Sequence, residues 1–279
     1  MNTHFINRIN YFFMFAFVLA LMSLLSACGG GDDAVVNANP TGYYTGSATV
    51  FDATAQSVNI DDLQGLVDGN RFMAMSEAQE LLYDGTITSI SGNNFSATVT
   101  VYKDGEVVTG SPTTFSGTIS QGKQITGTFS GTGDWRGAFM LVYAASNNQV
   151  ATLAQVATAA NEFWGSDASV TFYEDTNPQF KVDAFGIMTE GNSMGGGVLY
   201  NCAIRSGGSI TPVDNTRLYR VAVEYYLCGN GEGDGDYTGL ASTKEIDGKL
   251  VWMITKSVTT NGDFANASDY IRRTDVPPP

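Results

Sequence analysis

The chain has 279 residues, with 28 Asp and Glu against 14 Lys and Arg, and its formal net charge at pH 7 is −14. A surface of that charge repels nucleic acid and anionic lipid headgroups, so both are excluded as partners bound by charge. The only histidine is His4. If the N-terminal segment is removed, no histidine remains for a Ser-His or Cys-His nucleophile, or for a zinc or haem site.

The first 27 residues have the pattern of a signal peptide. Residues 1–10 carry one basic residue, Arg8, and no acidic residue, and residues 11–25 are apolar or aromatic apart from Ser23. A run of this length suits a signal-peptide core, whereas a transmembrane helix usually needs about 20 apolar residues. We therefore predict a helical signal over residues 1–27, with an uncleaved anchor as the alternative.

The motif Leu25-Ser26-Ala27-Cys28 ends this run and matches the lipobox of bacterial lipoproteins. It predicts Cys28 as the lipid-attachment site and residues 28–41, which are rich in Gly and Asp, as a flexible tether. Gly29 in place of Asp resembles the enterobacterial signal for the outer membrane. The alternative is an ordinary secretory signal with a coincidental cysteine. Without its signal the chain has 13 basic residues and a net charge of −15.

Two further cysteines, Cys202 and Cys228, remain when Cys28 carries lipid. In an oxidising compartment this even remainder predicts one disulfide, which would contribute roughly 3–4 kcal/mol in the chain-entropy model. Two buried free thiols are the alternative.

The composition predicts an all-β protein, because Gly is abundant and only 15% of residues are charged. Apolar residues alternate with Thr, Ser or Gly along many short segments, as in half-buried antiparallel strands. We predict two tandem up-and-down barrel-like or sandwich domains, at residues 42–144 and 164–275. Hairpin turns are predicted at Asp68-Gly69, Asp104-Gly105 and Asp247-Gly248. After the hairpin at Asp68-Gly69, strands are predicted at 84–90, 95–103, 106–109, 113–120, 124–130, 137–143, 169–173, 181–187, 197–205, 216–228, 237–242 and 250–257.

One α-helix is predicted between the two domains, within residues 145–163. Asn147 or Asn148 can cap it, and the segment is rich in Ala and free of Gly. Its apolar residues recur at helical spacing. We expect a linker packed between the domains, or a plug over a barrel mouth. The apolar residues in question are Val150, Leu153, Val156, Ala157 and Ala160.

The two halves show a weak internal repeat, in which residues 96–102 correspond to 219–225 and residues 114–118 to 236–240. The whole chain also resembles a set of uncharacterised tandem β-domain lipoproteins of Gram-negative bacteria. That resemblance implies a lipid-anchored, two-domain β protein and supplies no catalytic residue. Besides the lipobox, the matching residues are Ala151, Leu153, Ala154, Val156 and Ala157, Trp164 and Ser166, Asn201-Cys202, Asn215, Tyr219 and Val221, Cys228, and Tyr237-Thr238-Gly239-Leu240-Ala241.

A looser likeness links the chain to two-lobed surface lipoproteins that bind host proteins through eight-stranded barrels. Gly127-Thr128-Phe129-Ser130-Gly131 and Gly137-Ala138-Phe139 are similar to strands of those barrels. This likeness implies a binding role for the exported part of the chain.

Three short motifs resemble chemical sites. Residues 191–195 fit G-x-S-x-G, but no base is available, and residues 120–123 fit S-x-x-K, but at a hairpin turn. The alternation of acids with Gly in residues 229–236 is a calcium candidate, because calcium prefers oxygen ligands. A solvated acidic loop is the default interpretation. The candidate ligands are Asn230, Glu232, Asp234 and Asp236.

We therefore expect a non-enzymatic lipoprotein of the outer membrane, without a cofactor, that binds an envelope or extracellular protein or a small apolar ligand. A structural or assembly role with filled barrels is the second hypothesis. A hydrolase that uses two carboxylates is the third, and it requires acids that converge in a cleft.

Overall fold

The computed structural model describes residues 35–51, 57–108, 110–131, 136–171, 179–190, 203–226, 234–244, 248–256 and 264–274. The chain divides into the units Met1–Val36 and Asn37–Pro279. The predicted signal and Cys28 lie outside the described residues, and all that follows concerns the second unit. Among the described residues, no helix is long and apolar enough to cross a membrane.

Eight antiparallel strands of the N-terminal half close into a ring, here called the first barrel. Each strand pairs with the next one in the ring, and the last pairs with the first, Tyr44 lying opposite Tyr143. A ninth strand of two residues, β6, leaves the ring and pairs with β5. The strands are β1 (Gly42–Phe51), β2 (Ser57–Asp68), β3 (Arg71–Ser76), β4 (Leu81–Ser91), β5 (Asn94–Lys103), β6 (Glu106–Val107), β7 (Thr113–Ser120), β8 (Gln124–Ser130) and β9 (Arg136–Tyr143).

The short turns of the first barrel follow from residues that tolerate a left-handed backbone. Asp104 and Gly105 have φ values of 51° and 83° and join β5 to β6, as predicted. The hairpin predicted at Asp68-Gly69 turns one residue later, because Gly69, with φ 59°, and Asn70 form the turn. Two-residue turns of this kind match the right-handed twist of the flanking strands.

The C-terminal half forms a second sheet, whose order is β14-β15-β16-β17-β18-β10-β11-β12. A bridge between Ile187 and Ser209 joins the two ends of this order. The short strand β13 continues the line of β14 along β15. The strands are β10 (Glu162–Thr171), β11 (Phe180–Val182), β12 (Met188–Glu190), β13 (Ala203–Ile204), β14 (Ser209–Pro212), β15 (Leu218–Tyr226), β16 (Gly235–Thr243), β17 (Leu250–Lys256) and β18 (Phe264–Thr274).

The predicted all-β class is confirmed, but the predicted helix is wrong in length. Between the two strand sets lie a 3-10 turn, Ala145–Asn147, and one four-residue helix, α1 (Leu153–Val156). The backbone on either side of α1 makes hydrogen bonds to other segments instead. Ala151 N donates to Thr216 O, in the turn between β14 and β15, at 2.5 Å, and Thr158 N donates to Val182 O on β11 at 2.9 Å. Tertiary hydrogen bonds therefore override the helical propensity of the Ala-rich segment.

The helix α1 packs on one end of the second sheet. Val156 is fully buried there, and its carbonyl accepts a hydrogen bond from the Trp164 indole at 2.8 Å. Tyr219 Oη donates to Thr152 O at 3.0 Å. The segment therefore packs against the second sheet, and its role as a linker or a plug stays a prediction.

The first barrel and the second sheet share a buried apolar layer, here called the middle layer. It is formed by outward-facing residues of β1 to β5 and by residues of β14 to β18. The backbone also joins the two, because Ala265 N donates to Gly105 O at 2.9 Å. The residues of the middle layer are Tyr43, Leu66, Met73, Met75, Leu82, Tyr102, Val213, Leu218, Leu240, Val251, Met253, Ala265 and Ala267.

Two ion pairs flank the middle layer. Arg71 on β3 lies 2.9 Å from the Asp84 carboxylate, which also accepts a hydrogen bond from Thr255 on β17. Arg220 on β15 pairs with Asp68 on β2, which lies directly opposite Arg71 in the β2–β3 hairpin. Polar contacts therefore cross between the two strand sets at the end of this hairpin, beside their apolar contact.

Candidate functional site

The interior of the first barrel is filled with side chains. The cavity that remains among its aromatic residues measures about 10 Å³, which is room for one water molecule at most. Phe115 stacks on Phe129 with ring centroids 5.0 Å apart and lies 5.2 Å from Phe139. Glycines opposite these rings leave room for them inside the barrel, since a Cβ on Gly137 would lie 2.4 Å from Phe129 Cζ. Among the described residues of the barrel interior, this space is too small for a small apolar ligand.

The second sheet encloses a core that combines aromatic rings with hydroxyl groups. Tyr225, Trp252 and Tyr270 are almost completely buried, and Phe180 packs against Trp252 and Tyr270 at 5.0 and 5.1 Å. Burial raises the pKa of both Tyr225 and Tyr270 above the ordinary value for tyrosine. The pKa of Tyr219, beside α1, rises to about 12 for the same reason. These hydroxyls are therefore neutral at physiological pH.

A cleft of about 580 Å³ lies between the first barrel and the second sheet. One wall consists of the N-terminal segment before β1 and the turns that follow β2 and β7. The other wall consists of the turn between β14 and β15, together with Arg220. The volume is within the range of ligand sites, about 300–1,000 Å³. The polar side chains that line the cleft are Asn39, Thr41, Asp68, Gln121, Tyr143, Asp214, Asn215, Thr216 and Arg220.

Hydrogen bonds to the backbone fix the first wall of this cleft. Asn39 N donates to Gln121 Oε1, Thr41 N donates to Asn39 Oδ1, and Gly69 N donates to Thr41 Oγ1, each at 3.0 Å. These bonds use the amide oxygens of Asn39 and Gln121, whose NH₂ groups are then available as donors in the cleft. A wall held in this way pays little ordering entropy when a ligand binds.

The turn in the second wall is equally constrained. Thr216 Oγ1 donates to Val213 O at 3.0 Å and accepts from Leu218 N at 3.1 Å. Asn215 has a φ of 58°, in the left-handed region that Asn tolerates better than most residues. The exposed amide of Asn215 is thereby presented at the cleft.

A bidentate ion pair connects the two walls of the cleft. Arg220 Nε lies 2.5 Å from Asp68 Oδ2, and Arg220 Nη2 donates to Asp68 Oδ1 at 3.0 Å. The hydrogen bond to Asp68 raises the pKa of Arg220, and the charges of Asp68 and Asp214 act in the same direction. The opposite charges of Arg220 and Asp68 cancel each other, so Asp214 is the remaining charged group of the described lining.

A second depression, of about 510 Å³, lies beside α1 at one end of the second sheet. Arg217, Lys244 and Arg272 contribute to its lining, but carboxylates accompany these cations. Lys244 Nζ lies 2.5 Å from Asp269, and Arg272 Nη1 lies 3.6 Å from Glu162. The depression is therefore not a concentrated positive site.

Only the last two calcium candidates, Asp234 and Asp236, lie among the described residues. Asp234 O accepts a hydrogen bond from Lys256 Nζ at 2.6 Å, so a lysine ammonium lies at the base of the loop. Burial lowers the pKa of Lys256, which contacts the Phe264 ring at 4.7 Å. Asp236 pairs across the strands with Glu224. No group of three metal-binding side chains occurs in the described ranges, and calcium binding stays a prediction.

The predicted disulfide and the lipid-attachment residue are not part of this geometry. Cys28, Cys202 and Cys228 lie outside the described residues, as do Asn230 and Glu232. The cleft residues were missed from the sequence, because they come from three turns and a terminal segment that are far apart in the chain.

The fold and cleft define an all-β barrel protein with a polar groove between two strand sets. No protein-family model matches the chain, and no curated protein matches it. Among solved structures, the chain is similar to the crystal structure of isotype 1 transferrin binding protein B from serogroup B Neisseria meningitidis, with a TM-score of 0.26 and 8% identity. The alignment covers 78% of this chain and 59% of that chain. At that TM-score the likeness carries no argument about function.

Proposed function

We propose that the protein is a lipid-anchored lipoprotein of the outer membrane with a non-enzymatic binding role, and that the cleft between the first barrel and the second sheet is its binding site. The single observation that carries the proposal is this cleft of about 580 Å³, whose amide, hydroxyl and carboxylate groups are held in place before any ligand arrives. The lipobox at Cys28 supports the anchor.

The structural or assembly alternative is favoured by one observation, the filled interior of the first barrel. In that role the cleft would be a solvated groove without a ligand. The hydrolase alternative has a pair of acids in the cleft, Asp68 and Asp214. However, both carboxylate oxygens of Asp68 accept hydrogen bonds from Arg220, so this acid is already engaged in a bidentate ion pair.

Two experiments test the proposal. Replacement of Cys28 by Ala should abolish acyl labelling and release the protein from the membrane fraction, and unchanged fractionation would contradict the anchor. For the cleft, a thermal-shift screen of neutral, charged and apolar small molecules should yield stabilising compounds. Their effect should be reduced in Gln121→Ala and retained in Gln124→Ala, which replaces an exposed glutamine on β8 that does not line the cleft. A screen without such compounds would favour the structural role.

A further inference from the structure

We propose that the ligand of the cleft is a neutral saccharide, a class that nothing in the family comparisons assigns. The inference rests on the proposed binding role of the cleft and names the chemistry of its ligand. It is carried by the kinds of polar groups in the lining, their net charge, and the strand pairing around them.

The lining matches the hydrogen-bonding pattern of sugar hydroxyls. Each hydroxyl both donates and accepts, so it is best bound by a mixture of fixed donors and fixed acceptors. The NH₂ groups of Asn39 and Gln121 are donors, the Asp214 carboxylate is an acceptor, and the amide of Asn215 is both. The planar amides lie on both walls, so a ligand in the cleft can bond to both.

The charge of the cleft favours a neutral ligand. Arg220 and Asp68 neutralise each other in a bidentate pair, and Asp214 is exposed to water. An anionic ligand would meet the field of a protein with net charge −14 and an arginine that is already paired. A cationic ligand would find one solvated carboxylate, an attraction worth little at an exposed site.

One aromatic ring supplies the apolar surface that the C–H groups of a sugar require. Tyr143 lines the cleft, is half-buried, and is fixed edge-on against Tyr44 with ring centroids 5.5 Å apart. A ligand that is apolar throughout would instead desolvate the amides and carboxylates without replacing their hydrogen bonds.

An extended peptide fits the first wall less well. Peptides commonly bind by adding a strand to an open sheet edge. In the described part of the first barrel, each strand of the ring already pairs on both sides, so the barrel offers no such edge beside the cleft. Side-chain recognition of hydroxyls does not need one.

The test is isothermal titration of the soluble mature protein with neutral trisaccharides of glucose, galactose, mannose and N-acetylglucosamine. At least one should bind. Gln121→Ala should raise its Kd about threefold to tenfold, the loss expected for one neutral hydrogen bond. Asn215→Gly should do the same, since Gly adopts the left-handed backbone without strain. The matched controls are Gln124→Ala for Gln121→Ala and Asp104→Gly for Asn215→Gly. Asp104 is also a left-handed turn residue but lies away from the cleft, and both controls should leave Kd unchanged.

Trilysine and a trisaccharide that contains glucuronic acid serve as charged comparators. Tighter binding of either one would overturn the inference of a neutral ligand while leaving the cleft as a binding site. A hit of another class from the thermal-shift screen, with no trisaccharide bound, would likewise refute the saccharide alone. Failure of every class would refute the binding role itself. Release of reducing sugar during titration would favour the hydrolase alternative and overturn the non-enzymatic role.

Discussion

Truncation of Met253 to Ala tests whether the first barrel and the second sheet unfold together. Met253 lies on β17, is completely buried, and belongs to the middle layer with Leu66 and Met73 of the first barrel. The substitution removes three heavy atoms from a contact that both strand sets share. If that contact couples them, one substitution should destabilise both.

The expected loss is about 3 kcal/mol. Loss of buried apolar groups costs about 0.8 kcal/mol each, and the cavity left behind adds to this, within the range of about 2–5 kcal/mol for Met→Ala in protein cores. For a chain of this size, 1 kcal/mol corresponds to about 2–4 °C, so the midpoint of thermal unfolding should fall by about 6–12 °C.

The assay is urea unfolding followed by two signals. The third tryptophan, Trp135, lies in the sequence between β8 and β9 and is replaced by Phe in the parent protein. Tryptophan fluorescence then reports on the second sheet through Trp164 and Trp252, and far-UV circular dichroism reports on all strands. Both signals should give the same midpoint in this parent protein and the same lower midpoint after Met253→Ala. Leu141→Ala, inside the first barrel, should likewise move both signals together. Two separate transitions, one of them unmoved by Met253→Ala, would refute the coupling and favour independent tandem domains.

Three further outcomes are expected. Burial raises the pKa of Asp84 above its ordinary value, so the folded protein holds a proton at Asp84 more tightly than the unfolded chain does. The stabilisation of the folded protein by this proton is fully present below about pH 4 and is lost as the pH rises through the raised pKa. Asp84→Asn should therefore lose stability relative to wild type on going from pH 7 to pH 4.5, as measured by urea midpoints, and parallel pH profiles would contradict this. Gly137→Ala places a Cβ 2.2 Å from Thr49 O and 2.4 Å from Phe129, so it should cost about 1–3 kcal/mol of unfolding free energy, measured by urea unfolding. Cys202 and Cys228 should resist alkylation until reduced, and labelling of both thiols in the unreduced protein would disprove the disulfide.

The strands β7 and β8 could be predicted because one of their faces is buried and the other is exposed to water. In β7 and β8 apolar side chains alternate with Thr, Ser and Gly, and the predicted bounds 113–120 and 124–130 coincide with the observed strands. Period-two alternation is a direct consequence of that one-sided burial.

The strand β18 was missed, because both of its faces are buried. The segment Phe264–Tyr270 contains Asn266, Ser268 and Asp269, yet all seven residues are buried between the second sheet interior and the middle layer. Polar residues at buried positions erase the hydrophobic signal. Here Asp269 is compensated by Lys244, which is 25 positions away in the chain and cannot be foreseen from local pattern.

The length of the helix was wrongly predicted and the cleft was missed, for two different reasons. Ala-rich sequence favours a helix locally, but only tertiary structure shows that Ala151 bonds to the turn before β15 and Thr158 to β11. The cleft depends on turns brought together by the closure of the barrel, and a turn residue such as Gln121 has no local feature that marks it as part of a site. Sequence reasoning therefore reached the fold class but not the site.

The hydrogen bond between Asn39 and Gln121 also limits the distance between the cleft and a lipid on Cys28. Asn39 is the eleventh residue after Cys28, and an extended chain spans at most about 3.6 Å per residue. If Cys28 is acylated, the first wall of the cleft stays within about 40 Å of its lipid. A cleft held this close to the membrane shares a thin layer with any membrane-borne ligand, and that confinement raises the effective concentration of the ligand at the cleft.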